Sequence, residues 1–178
     1  MKTNPSRALF ALLLAAVPAA LLAQPAVVIR AWPRGPAAAA RVMIVKYGTP
    51  ARFGKHALVW EDMGPWKRTV VYSNAWPMFV GATDKDFLEQ TIARPVPPSK
   101  IPALTLFDRR LRIDEERGEL SSRSESEEAN FLALNLAEEL ISGRRTVSDA
   151  KGFYAKTLAL SQAGKSSPYL EGLMYAPH

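Results

Sequence analysis

The sequence predicts an α+β protein, in which a small, mostly antiparallel sheet carries a C-terminal antiparallel helical hairpin on one face. Three observations lead to that expectation. Short runs rich in Val, Thr, Ile and aromatic residues, bounded by Gly and Pro, fill the middle of the chain. Capping signals and a 3.6-residue apolar period take over from residue 125 onward. Strands therefore come first and paired helices last, and no repeat, low-complexity tract or linker divides the chain.

The first 23 residues read as a secretory signal peptide. Lys2 and Arg7 give a positive start, Ala8 to Leu22 is apolar and broken only by Pro18, and Ala23 is a small residue before Gln24. The run is too short to cross a bilayer, which takes about 20 apolar residues. Residues 24–178 are then expected to form a single globular domain, exported to the periplasm or the extracellular space. No later stretch is long and apolar enough to span a membrane once the signal is removed.

The elements follow in order. Val27 to Ile29 reads as a short strand, broken by Pro33-Arg34-Gly35-Pro36. Residues 37–47 lean to helix, entered at Pro36 and stopped at Gly48, although Val42, Ile44 and Val45 favour strand. "HALVWED" and "WKRTVVYS" make a hairpin through Met63-Gly64-Pro65, with Arg68, Val70 and Tyr72 on one face and Thr69 and Val71 on the other. "DFLEQTIARPVPP" reads as a third strand ended by its prolines, and Ser99 as the cap of a short helix through Phe107. "LRID" and "ELSSR" form a second hairpin with Gly118 in its turn.

"SSRSESEEANFLALNLAEELISG" then opens the main helix. Ser122 with Glu125, and Ser124 with Glu127, fit the capping box, and the carboxylates suit the positive end of the helix dipole. Ala129, Leu132, Ala133, Leu136, Ala137 and Leu140 share a face, and Gly143 ends the helix. Asn130 falls inside the apolar arc, so it is expected to be a buried lock, bonded to the preceding hairpin or to the Tyr154 hydroxyl. Asn135 falls on the polar side with Glu128 and Glu139. Thr146 with Asp149 caps a second helix with Val147, Ala150, Tyr154 and Leu158 as its stripe, closed by Gly164. The apolar residues of the tail, Tyr169 to Tyr175, are expected to pack back on the domain.

Chemistry is sparse. The chain has no Cys and 2 His, which excludes disulfides, thiolate sites and a lipobox and leaves too few ligands for zinc. "GKSS" at 164–167 lacks the first glycine of a phosphate loop and closes a helix rather than opening one. No metal, cofactor or catalytic residue is assigned. The candidate ligand surface is a cluster of aromatics among basic residues, Trp60, Trp66, Lys67, Arg68, Trp76 and Phe79, although aromatics also dominate cores and most of these rings are expected to be core or hairpin-pair residues. Charge is uneven, with 14 Lys/Arg against 6 Asp/Glu in 24–112 and 7 against 11 in 113–178. That asymmetry fits two readings equally: an anionic partner for the first half, either a polymer or a membrane surface, or attraction between the two halves across the fold. An envelope protein is the other partner class, and no nucleic acid is expected. The functional expectation is a non-catalytic exported protein that binds a partner, polymer or small ligand. The alternative is a small extracytoplasmic hydrolase using Asp/Glu carboxylates, a chemistry that leaves no short motif.

Two resemblances add to this reading. "GPWKRTVVYS", "DFLEQTIARPVP" and "GELSSRSESEEANFLALNLAEELISGRRTVSDAKGFYAKT" resemble a family of exported bacterial proteins of unknown function, over about residues 46–175. The resemblance implies one exported domain and no activity. Residues 42–73, with "VKYGTPARFGKHALVW", are similar at the level of fold to small outer-membrane assembly proteins of the SmpA/OmlA type. Those are usually lipoproteins, whereas this chain has no cysteine to lipidate.

If the signal is cleaved as read, intact mass of protein from the cell envelope should correspond to a chain starting at Gln24 or within a few residues of it. Full-length protein in the membrane fraction would overturn the cleavage.

Overall fold

A computed structural model describes residues 25–74 and 85–177. Its strands are β1 (Arg52–Phe53), β2 (Ala57–Met63), β3 (Trp66–Tyr72), β4 (Leu88–Ala93), β5 (Leu111–Asp114) and β6 (Glu119–Ser124). They form one sheet in the order β1-β2-β3-β4-β6-β5, with every pair antiparallel. The helices are α1 (Arg34–Tyr47), α2 (Ile101–Phe107), α3 (Glu127–Ile141), α4 (Val147–Gln162) and α5 (Pro168–Glu171). The fold is α+β, as the order of elements predicts.

Two local readings are corrected. Residues 25–28 are helical and run into a 3-10 turn at Ile29–Ala31, so the expected strand at Val27 to Ile29 does not form. Ile29 is buried beneath α1, a tertiary contact that overrides the β preference of the run. The short helix after the prolines is entered through a 3-10 turn at Pro98–Lys100, and no side chain caps it, so Ser99 does not play that part.

The helices divide one face of the sheet between two cores. Ala37, Ala40 and Met43 of α1 pack on Leu58, Trp60, Val71 and Leu88 of β2, β3 and β4. Ile92 and Leu120 of β4 and β6 instead meet α3 through Leu132 and Leu136, with Leu104 and Phe107 of α2 alongside. Tyr47 packs against both clusters and joins them.

The main helix begins later than its sequence suggests. Ser126 is the N-cap and accepts the Ala129 N–H at 3.3 Å, because Ser122 and Ser124 are still paired in β6. Thr146 caps α4 as expected, accepting the Asp149 N–H at 3.2 Å. At the far end of α3, Gly143 has φ +74°, and the next N–H, from Arg144, returns to the Glu139 carbonyl at 2.8 Å. This closure turns the chain into α4. The tail then packs back: Leu170 is buried, and Tyr169, Leu173 and Tyr175 pack on the main cluster.

Gly143 therefore needs a conformation that β-branched residues resist, although a Cβ there would meet nothing closer than Lys100 Nζ at 3.9 Å. Gly143→Val should lower stability by about 1 kcal/mol or more. Gly152→Ala, in open space in the middle of α4, should raise it by about 0.5–1 kcal/mol. Denaturant melts of the two variants check the pair, and an unchanged Gly143→Val would refute the turn.

Candidate functional site

The aromatic and basic cluster expected to form a ligand surface is not one surface. Trp60 and Trp66 are buried, so neither ring can stack an outside ligand. Trp60 lies in the α1 core and donates its indole N–H to the Gly48 carbonyl at 2.9 Å. Trp66 stacks on Phe131, with ring centroids 4.9 Å apart. Both rings follow the usual economy of tryptophan, a large apolar body buried with its one N–H matched to an acceptor. Lys67 is exposed beside Asp62, and Arg68 is committed to Glu119 at 2.9 Å. Trp76 and Phe79 lie outside the described residues.

The interior holds instead a carboxylate that sequence reading assigned to a cap. Glu127, the first residue of α3, is buried. Its Oε1 accepts Trp66 Nε1 at 2.7 Å, Gln90 Nε2 at 2.8 Å and the Tyr47 hydroxyl, while Oε2 accepts Lys46 Nζ. Donors thus arrive from α1, β3 and β4. Burial pushes the Glu127 carboxyl upward, but the hydrogen bonds from Lys46, Tyr47, Gln90 and Trp66 outweigh it, and its pKa lies below the ordinary value. Burial and then the bond to Glu127 raise the Tyr47 pKa, so that hydroxyl stays protonated and donates.

The network continues through amides. Asn130 Nδ2 donates to Gln90 Oε1 at 3.1 Å and to the Leu88 carbonyl at 3.2 Å, and Ser124 Oγ donates to Asn130 Oδ1 at 2.8 Å. Asn130 is therefore the buried lock expected, but it locks onto β4 and β6. Tyr154 takes no part in it: its hydroxyl accepts Arg110 Nη2 at 2.9 Å. Asn135 corrects the reading of a polar outer side. It is buried, donates to the Tyr169 and Gly172 carbonyls, and accepts the Met174 N–H at 2.7 Å. The tail covers it, and its amide satisfies tail backbone that would otherwise be orphaned.

The solvent side of α1 presents a different chemistry. At about 100° per residue, Arg34, Ala38, Arg41, Val42 and Val45 fall within an arc of about 100°, and all five are exposed. Val42 is 57% and Val45 87% exposed. Arg34 and Arg41, like Arg30 just before the helix, form no ion pair among the described residues. The cause is compositional: residues 25–60 carry 6 Lys/Arg and no Asp or Glu. Among the described residues, Lys46 and Arg52 alone of these reach a carboxylate, on Glu127 and Glu61. That acid-free stretch is the sequence feature that marks this face. No helix among the described residues is long and apolar enough to cross a membrane, and no group of three His, Cys, Asp or Glu there is placed to hold a metal ion.

The lowered pKa of Glu127 fixes a sign. A carboxyl depressed in the folded state contributes stability that is complete above its ordinary value, 4.5, and is lost as pH falls through the folded value. Glu127→Gln should cost about 1.5–3 kcal/mol at neutral pH and show a smaller further loss on acidification than the parent protein. Urea melts across a pH series check this, and parallel pH profiles would refute it.

No protein-family model, curated protein or solved structure matches the chain.

Proposed function

We propose that this is an exported, non-catalytic protein that engages an anionic lipid surface through the outer face of α1. The observation that carries the reading is the pattern of that face: Arg34 and Arg41, without an ion pair among the described residues, share it with exposed Val42 and Val45, and Arg30 adjoins. Arginines alone would serve any polyanion. Valines standing among them add apolar contact that a lipid interface can take up and a hydrophilic polymer cannot. Engagement of this kind is peripheral and depends on screening, because cations near an anionic bilayer lose their attraction beyond a Debye length.

The hydrolase alternative gains less support. Acid catalysis by a carboxyl pair needs one partner held protonated near neutrality. Glu127 is held ionised by its donors and is saturated with hydrogen bonds, so it is suited to joining elements rather than to transferring a proton.

Cosedimentation with phosphatidylglycerol-containing vesicles is expected at low salt, falling steeply toward physiological salt, with none on purely zwitterionic vesicles. Each membrane-facing arginine contributes about 1 kcal/mol, so Arg34→Gln with Arg41→Gln should weaken binding by about 30-fold. Val45→Ser should weaken vesicle binding but leave binding to a soluble polyanion unchanged. Equal loss on both would reassign the partner to a polymer, and no vesicle binding at low salt would refute the reading.

A further inference from the structure

A second feature stands at the C-terminal end of α4, where Gly164-Lys165-Ser166-Ser167, the stretch that makes no phosphate loop, leads into α5. The loop and the last turns of α4 enclose a hollow of about 250 Å3. Phe153 and Leu160 form its apolar part, and Lys156 and Lys165 bring charge. Thr157, Ser166 and Ser167 bring hydroxyls, and no carboxylate among the described residues lines it. Residues 113–178 carry 7 Lys/Arg against 11 Asp/Glu, so two ammoniums beside no acid stand out in this half of the chain. Neither lysine forms an ion pair among the described residues.

Thr157 is the unusual member. It is 6% exposed, and its hydroxyl has no hydrogen-bond partner among the described residues. Thr105, also within a helix, returns its hydroxyl to the Ile101 carbonyl one turn back at 3.1 Å, and Thr157 makes no such bond to Phe153. Nor is its oxygen sealed in, since the fully buried side-chain atoms without a partner belong to Glu89 and Arg123, and Thr157 lines the hollow. Ser167 is similar: it is the N-cap of α5, and its side chain caps nothing. The carbonyls at the end of α4, which would repel an anion, are occupied. Leu160 accepts the Ala163 and Lys165 N–H groups, and Ser161 accepts that of Gly164.

A hydroxyl withdrawn from bulk water is costly to leave unmatched. Two ammoniums and several hydroxyls, with no carboxylate beside them, call for an anion that carries several acceptor oxygens. A phosphate monoester has a charge of about −1.5 to −2 near neutral pH and three strong acceptor oxygens. Lysine meets phosphate as a point charge, which needs no fixed fork geometry. We propose that this hollow binds a phosphate monoester, with Lys156 and Lys165 against its charge and Thr157 and Ser167 donating to its oxygens. Phe153 and Leu160 lie beside its organic group, and Leu160 is 45% exposed, which leaves an apolar surface for a chain to rest on. A small soluble phosphate ester and the headgroup of phosphatidic acid present the same group. The site shares no residue with the outer face of α1, so either reading can fail without the other.

Amide NMR titration of the purified protein tests the site with two probes, glycerol 3-phosphate and dihexanoyl phosphatidic acid below its micellar concentration. Saturable shifts at Thr157, Lys165 and Ser166 are expected in the millimolar range or below. Thr157→Val keeps the shape and removes the hydroxyl, so it should weaken binding by about tenfold. The same variant should leave the thermal midpoint of the free protein unchanged or higher, and a lowered midpoint would mean that the fold already uses the hydroxyl, against the proposal. Lys156→Gln with Lys165→Gln should weaken binding by about tenfold or more. Similar affinities for the two probes would show that the phosphate alone is recognised. Tighter binding of the phosphatidic acid, lost in Leu160→Ser, would identify a lipid as the source. Shifts reproduced by sodium chloride at equal ionic strength, unchanged affinity in both the Thr157 and lysine variants, or no shift at these amides with either probe would overturn the site.

Discussion

The Glu127 carboxylate is buried at the first turn of α3 and draws its donors from α1, β3 and β4, so four elements meet at one charge. It lies at the seam between the two cores, beside Tyr47, which packs on both. An ionised group can remain there only because every donor arrives and because the N-terminus of α3 adds its own positive field. Removing one donor would leave the charge undersatisfied, so the positions of α1 and of the Trp66 strand are set together. Apolar contacts between α1 and the sheet would tolerate sliding, whereas hydrogen bonds of about 3 Å would not.

This constraint divides the molecule's surfaces. With Tyr47 and Lys46 drawn toward Glu127, the Ala37, Ala40 and Met43 side of α1 faces β2 and β3. The remaining side, with Arg34, Arg41, Val42 and Val45, must face water. The sheet in turn has one face taken up by α1 and α3, and its other face carries Arg68, Glu89, Arg112 and Ser121. The exposed arginines and valines of α1 and the polar outer face of the sheet are thus consequences of one orientation.

The central helix shows how tertiary cover changes the meaning of a residue. In α3, 12 of 15 residues are buried, because β4 and β6 lie on one side and α2, α4 and α5 on others. A helix enclosed all round has no true polar face. Asn130 and Asn135 become connectors within the interior, one to the sheet and one to the tail. Their amides carry both donors and acceptors, which suits them to satisfy loose backbone without adding charge.

Local chemistry settled what depends on neighbours in sequence. The hairpins at Gly64 and Gly118, the Thr146 cap and the Gly143 stop need only a turn residue or a hydroxyl at a fixed offset, and the sequence alone determined them along with the α+β order. Burial of Asn130 was legible for the same reason, since a helical wheel is local geometry. Partners distant in the chain were not legible. Glu127 reads as a capping acid until Lys46, Tyr47, Trp66 and Gln90 are brought to it, separations of 81, 80, 61 and 37 residues. Trp60 and Trp66 read as a surface cluster because composition cannot tell which side of a strand a helix will cover. Asn135 looked polar and outward because the tail that encloses it folds back from 34 or more residues away. Tertiary structure decided these because burial and hydrogen-bond pairing belong to the arrangement of elements in space, and no local pattern encodes that arrangement.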